Sequence, residues 1–210
     1  MHRLIDNPDG RPDPVLAALP DRLRLPIAFP PGLVAAARAE AAPPEWTPHF
    51  VRDNYVGEWS AVALRAPAGA VHPILQIAPN PGIRDWVETP LLLASPALSA
   101  MLKALCCPLG AARLMRLAPG THVHRHADPG LDAAEGTARL HIPLATDRGA
   151  EFLLNDTPVE MQPGECWYLR LADPHALANR GKADRIHLVV DAQVDPWLAS
   201  QLVQAHATAA

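Results

Sequence analysis

Lysine is nearly missing from this chain. Its 210 residues hold two, Lys103 and Lys182, against sixteen arginines. With 22 acidic residues the net charge is −4, and the pI is about 6.2. Such a balance excludes a strongly basic surface of the kind that binds nucleic acid or an anionic membrane. Cysteine is scarce too: Cys106, Cys107 and Cys166 make neither a disulfide framework nor a CxxC pair, which fits a reducing compartment. No long apolar run is present. Leu91 to Met115 is interrupted by Pro96, Lys103, Pro108 and Arg113, too polar for a membrane span. The start, MHRLIDNPDGRPDP, has Asp6, Asp9 and Asp13 where a signal peptide needs an apolar stretch. The expectation is a soluble, cytoplasmic protein with no nucleic-acid or membrane partner.

Proline, by contrast, is abundant, at 24 residues, and hydrophobic residues make up 49% of the chain. A folded core with many turns and few long helices follows. Residues 1–30 read as an irregular lead-in. Leu33 to Ala42 reads as a short helix stopped by Pro43-Pro44, and Trp59 to Arg65 alternates like a strand. Ser95-Pro96 is an N-cap and first-turn pair for a helix running to about Cys107. From Ala111 the texture becomes strand, turn, strand, with strands near 112–118, 121–127, 137–145, 150–154, 157–161, 165–170, 174–179 and 184–191. Pro119-Gly120, Asn155-Asp156, Pro163-Gly164 and Arg180-Gly181 supply turns. Asp195-Pro196 opens a C-terminal helix over roughly 196–206. This spacing predicts a mainly β chain: a small antiparallel barrel or sandwich (111–192), preceded by a lead-in with helices packed on it (1–110, part of the same domain) and followed by a helix and tail (193–210).

The informative residues are histidines and arginines inside these strands. Side chains alternate along a strand. His122, His124 and His126 therefore share one face, as do Arg139 with His141 and Arg185 with His187. Leu140, Ile142 and Leu144, and likewise Ile186 and Leu188, take the opposite faces. A solvated face would be rich in Lys, Glu, Thr and Ser; one built from His and Arg suits the lining of a barrel that holds a metal and an anion.

His126-Ala127-Asp128 is an H-x-D, expected roughly 0.7 times by chance and weak by itself. His175 lies about fifty residues on, and Arg185 ten beyond it; that last pair is expected roughly 0.8 times by chance. The combination carries the weight. If Arg180-Gly181 is a hairpin turn, His175 faces Arg185. Two imidazoles and a carboxylate on one side of an octahedral ion are the facial triad of non-haem Fe(II) oxygenases, and a guanidinium nearby suits a carboxylate.

The stretches RLMRLAPGTHVHRHAD, GTARLHIPLAT, MQPGECWYL and DPHALANRGKADRIHLVVD, in this order across Arg113 to Asp191, resemble the aspartyl/asparaginyl β-hydroxylase family of Fe(II)/2-oxoglutarate-dependent oxygenases. EWTPHFVRDNYVGEWSAVALR is a looser likeness to members acting on small molecules or peptides. The resemblance implies a double-stranded β-helix, a jelly-roll or cupin-like barrel. It implies His126, Asp128 and His175 as iron ligands, Arg185 pairing with the distal carboxylate of 2-oxoglutarate, His141 holding the same molecule near the iron, and Arg139 contacting either co-substrate or substrate. It further implies a dioxygenase that uses Fe(II), 2-oxoglutarate and O2, helped in vitro by ascorbate. Such an enzyme hydroxylates an unactivated C–H of an amino acid, a peptidyl residue or a related small molecule, releasing succinate and CO2. A cupin-like metal barrel without oxygenase activity, an isomerase or ligand-binding module, is the alternative. A degenerate family member kept as a binding protein is a third.

Trp46, Tyr55, Trp59 and Arg65 are candidates for a substrate wall or for packing. Trp167 reads as core, Asn179 as a partner for backbone groups near the turn, and Cys106 and Cys107 as inert and buried. His122, His124 and His187 read as structural or supporting groups around the site.

Overall fold

The computed structural model describes residues 12–43, 45–78, 83, 85–146 and 148–209. Among the described residues thirteen strands carry the fold: β1 (Arg22–Ala28), β2 (Thr47–Pro48), β3 (Tyr55–Val56), β4 (Trp59–Pro67), β5 (Trp86–Glu88), β6 (Leu109–Leu117), β7 (His122–His126), β8 (Thr137–Ala145), β9 (Ala150–Leu154), β10 (Thr157–Pro158), β11 (Glu165–Leu169), β12 (His175–Asn179) and β13 (Arg185–Gln193). Six helices accompany them: α1 (Pro14–Ala17), α2 (Pro31–Glu40), α3 (Pro73–Ile77), α4 (Pro90–Leu93), α5 (Pro96–Lys103) and α6 (Pro196–Ala209). Each opens on a proline, whose fixed φ and missing N–H cost nothing in a first turn.

One antiparallel sheet has the order β1-β11-β8-β13-β6-β4-β2, with β5 also paired to β4; the second has the order β10-β9-β12-β7-β3. This is the mainly β double-stranded β-helix expected from the sequence. Among the described residues no helix is long and apolar enough to cross a membrane.

Alternation divides each strand of the large sheet between two interiors. Leu140, Ile142 and Leu144 of β8 and Leu188 and Val190 of β13 face the helices, where they meet Leu98, Met101 and Leu102 of α5 and Leu198 and Leu202 of α6. Burying each such leucine contributes about 1.5–3 kcal/mol. The opposite faces point between the sheets, so Arg139, His141, Arg185, His187 and Asp191 are directed inward. Toward β11 and β12 that inner space is closed by Leu117, Val123, Phe152, Leu154, Leu169 and Leu177. The polar faces are therefore a barrel lining.

Several expectations need correction. Residues 22–28 are not irregular: Leu23 and Leu25 are buried, and β1 pairs with β11 at the sheet edge. Edge placement is what tolerates Pro26, which has no ladder donor. The rest of the supposed lead-in before residue 12 lies outside the described residues. β12 and β13 do not form a hairpin. β12 pairs with β7 and β9, and β13 with β6 and β8, so the chain crosses from one sheet to the other after Asn179. Ser95 makes no side-chain cap on α5; the carboxylate of Glu40 in α2 accepts from Ala97 and Leu98 N–H instead. That helix ends at Lys103, which leaves Cys106 exposed beyond it.

Candidate metal centre

His126 sits at the end of β7 and His175 at the start of β12, opposite each other in the ladder. Asp128 follows β7, its N–H bonded to the Leu171 carbonyl at 2.8 Å. One ligand atom from each of the three lies within 4.8 Å of the others.

In each of these side chains one polar atom is tied back and the other is left for a ligand. His126 Nδ1–H donates to the His124 carbonyl at 2.8 Å, and His175 Nδ1–H to the Asp173 carbonyl at 3.0 Å. A carbonyl only accepts, so both rings carry their proton on Nδ1 and offer a bare Nε2 lone pair. Asp128 Oδ2 accepts from Arg139 Nη1 at 2.8 Å, while Oδ1 faces His126 Nε2 at 3.8 Å. Burial pushes the His175 imidazole down to about 4, so it is neutral near pH 7, as metal ligation requires. The residues fit an ion of the kind that takes two imidazoles and a carboxylate on one face.

The rotation of His126 into the barrel depends on a bulge. Between Val123 and His126 the ladder to β12 shifts register. Val123 is buried and His126 faces His175 at 4.3 Å between ring centroids, whereas His122 and His124 are exposed on the outer face. The three histidines therefore do not share one face.

Behind Asp128 runs a chain of alternating charges. Arg139 Nε and Nη2 grip both oxygens of Asp191 at 2.6 and 3.0 Å, and Arg113 donates to the same carboxylate. Arg139 and Asp191 are direct cross-strand partners of β8 and β13. Burial would raise the Asp191 carboxyl, but Arg139 and Arg113 outweigh it and hold it far below the usual carboxylate range. Arg113 and Asp191 were not singled out from the sequence. The available signal was Asp191 itself, an acid closing the apolar run Leu188-Val189-Val190 opposite Arg139.

The ligand atoms open into a cavity of about 210 Å³ that Arg185 also lines. That side chain is 4% exposed. Its Nη2–H donates to His187 Nδ1 at 3.1 Å, and its Cζ lies 5.9 Å from the Phe152 ring centroid. Among the described residues no carboxylate pairs with it, and burial lowers its pKa to about 9. His141 lines the same cavity, with both ring nitrogens buried and unpartnered. Burial, then the charge of Arg185, pushes His141 and His187 well below the ordinary histidine value. A buried cation without an anion, beside a neutral imidazole without partners, is an arrangement that a bound carboxylate would complete.

A family profile described as aspartyl/asparaginyl beta-hydroxylase matches residues 35–194. The chain belongs to that family.

The L-proline cis-4-hydroxylase of Rhizobium meliloti (strain 1021) is 28% identical over 141 residues, which cover 66% of this family member and 49% of the relative. The chain thus spans about half the length of that protein. Two solved structures share the fold. A 2OG-Fe(II) oxygenase family oxidoreductase of Burkholderia pseudomallei has a TM-score of 0.55 at 13% identity, covering 82% of this chain and 85% of its own. The epimerase SnoN, in complex with Fe3+, alpha ketoglutarate and nogalamycin RO, has a TM-score of 0.56 at 13% identity, covering 86% and 84%.

The remaining candidates of this β-hydroxylase family member separate cleanly. Trp59 lines the metal cavity, with His49 stacked on it at 3.6 Å and Tyr55 edge-on at 5.6 Å. Arg65 donates to the carbonyls of Gly110, Trp86 and Leu109, and Trp46 packs against the helical core, so neither lines the cavity. Asn179 bonds the Leu117 and Ala183 carbonyls and the Gly181 N–H, and so secures the crossing between sheets.

Proposed function

We propose that this chain is an Fe(II)- and 2-oxoglutarate-dependent hydroxylase acting on an amino acid or an amino-acid-like small molecule. One observation carries the reading. The convergent donors of His126, Asp128 and His175 share a 210 Å³ cavity with a buried guanidinium that has no carboxylate of its own among the described residues. The relative named as an L-proline hydroxylase supports the substrate class.

In this reading His126 and His175 present Nε2, and Asp128 presents Oδ1, to the iron. Arg139 has bonds to Asp128 and Asp191, so its part is to orient the ligating carboxylate. Arg185 seats the distal carboxylate of 2-oxoglutarate, where the surrounding Phe152, Leu177 and Val189 exclude water and strengthen the pairing. His141 stands beside the same molecule and offers a neutral ring to its oxygens. Iron with 2-oxoglutarate and O2 supplies the oxidising power to hydroxylate a C–H bond, with succinate and CO2 as co-products. A metal barrel without this co-substrate has no use for a buried, unpaired cation at that place.

The test is succinate release with Fe(II), ascorbate and 2-oxoglutarate across a panel of amino acids and peptides, with His175→Ala alongside. Substrate-stimulated succinate in the wild type and none in the variant is expected. Equal release from both proteins overturns the ligand assignment, and no 2-oxoglutarate binding overturns the function.

A further inference from the structure

The metal cavity is too small for both partners of that reaction. Its 210 Å³ would be shared by the ion and the keto dicarboxylate before any substrate entered. Small-molecule sites usually offer about 300–1,000 Å³. A second cavity of about 490 Å³ opens at the mouth of the barrel, between the start of β6, the end of β13 and the loop after Asp128. Asp128 and Arg139 line both spaces. The two spaces therefore adjoin at this ion pair, beside the metal position.

The lining of the chamber defines its occupant. Trp86, Leu109 and Leu131 form apolar walls, and Thr137 and Gln193 add neutral hydrogen-bonding groups. Among the described residues, the charged groups of the lining, Asp128, Arg139 and Asp191, are bonded to one another. A free amino acid brings a carboxylate and an ammonium, and burying that zwitterion against groups already paired leaves its charges uncompensated. It also leaves much of the chamber unfilled, since 490 Å³ lies within the range of sites for larger small molecules.

We propose that the mouth chamber is the prime-substrate site. Its substrate is an apolar-bodied amino acid whose amine and carboxyl are both masked, as in an N-acylated amide, and not a free amino acid or an acidic side chain. This inference rests on the hydroxylase reading and specifies its substrate.

The test is calorimetric titration of the Mn2+- and 2-oxoglutarate-loaded protein with N-benzoyl-L-prolinamide and with free L-proline. The masked compound is expected to bind at least tenfold more tightly. Leu131→Trp, which narrows the chamber and keeps the side chains of Asp128 and Arg139, is expected to weaken it at least tenfold. Thr137→Phe narrows the chamber from another side and makes the same prediction should Leu131→Trp not fold. Free proline binding equally well, no binding of the masked compound, or wild-type affinity in a folded narrowed variant overturns the proposal. Affinity for 2-oxoglutarate is measured in the same samples. Its absence defeats the hydroxylase reading separately, and the binding of the masked compound still decides the chamber.

Discussion

Replacing Arg185 with methionine should strengthen the fold and abolish co-substrate binding. The guanidinium is 4% exposed, lacks an acidic partner among the described residues, and is held at about 9 instead of the usual 12.5. At 1.36 kcal/mol per pKa unit, keeping it charged in the folded protein costs about 5 kcal/mol. Methionine has a similar reach and no charge, and exchanges of buried ions for well-packed apolar residues commonly return about 1–4 kcal/mol. Against this stands the Arg185–His187 hydrogen bond, whose loss leaves His187 Nδ1 unsatisfied at a cost of about 1–3 kcal/mol. At the midpoints of these ranges a net gain of about 0.5 kcal/mol remains, which for a chain of this size raises Tm by about 1–2 °C. Binding of 2-oxoglutarate loses a buried charge pair, about 2–5 kcal/mol, or at least about thirtyfold in affinity. Differential scanning calorimetry of the ligand-free protein and titration of the Mn2+-loaded protein with 2-oxoglutarate read the two effects. A variant that melts lower, or binds the keto acid like wild type, refutes the argument that this cation is kept at the expense of stability for a ligand.

Acid should destabilise the metal-free protein. His141, His175 and His187 are buried with folded pKa values below that of the unfolded chain, so the unfolded chain takes up protons first as pH falls. Their contribution is complete above about pH 6.5 and is lost toward pH 4. Between pH 7.5 and 5.5 the loss is about 4 kcal/mol for the three. Urea unfolding at the two pH values measures it, and equal midpoints would contradict it. Asp191→Asn should leave Arg113 and Arg139 imperfectly paired, costing about 3–5 kcal/mol of stability. It should also weaken Mn2+ binding, because Arg139 no longer holds Asp128 in place. Unaltered metal affinity in a folded Asp191→Asn protein would show that the charge chain does not reach the ligand.

The sequence announced the polar lining because alternation holds wherever a strand is regular. Arg139 with His141, and Arg185 with His187, fall inward while their leucine neighbours pack on helices. Alternation failed at β7, where the bulge before His126 changes phase and leaves His122 and His124 outside. Nearest-neighbour pairing failed at Arg180-Gly181, because a chain that winds between two sheets carries its next strand away from the previous one. His175 and Arg185 nevertheless line one cavity, facing across the barrel and not along a hairpin. β1 is hard to read from the sequence because Pro26 masks an otherwise clear alternation of Leu23, Leu25 and Ile27. Arg113 and Asp191 were invisible as a pair because their partnership exists only in the register of β6, β8 and β13.

β1 and α6 both lie outside residues 35–194, the span by which the family is identified, and they pack on each other. A protein trimmed to that span would keep every proposed ligand but bare the ladder groups of β11, whose Trp167, Tyr168 and Leu169 pair with β1 on one side and β8 on the other. Open strand edges recruit other chains. The span that identifies the family is thus smaller than the span that closes the sheet, and β1, outside it, covers an edge to which another chain could otherwise add.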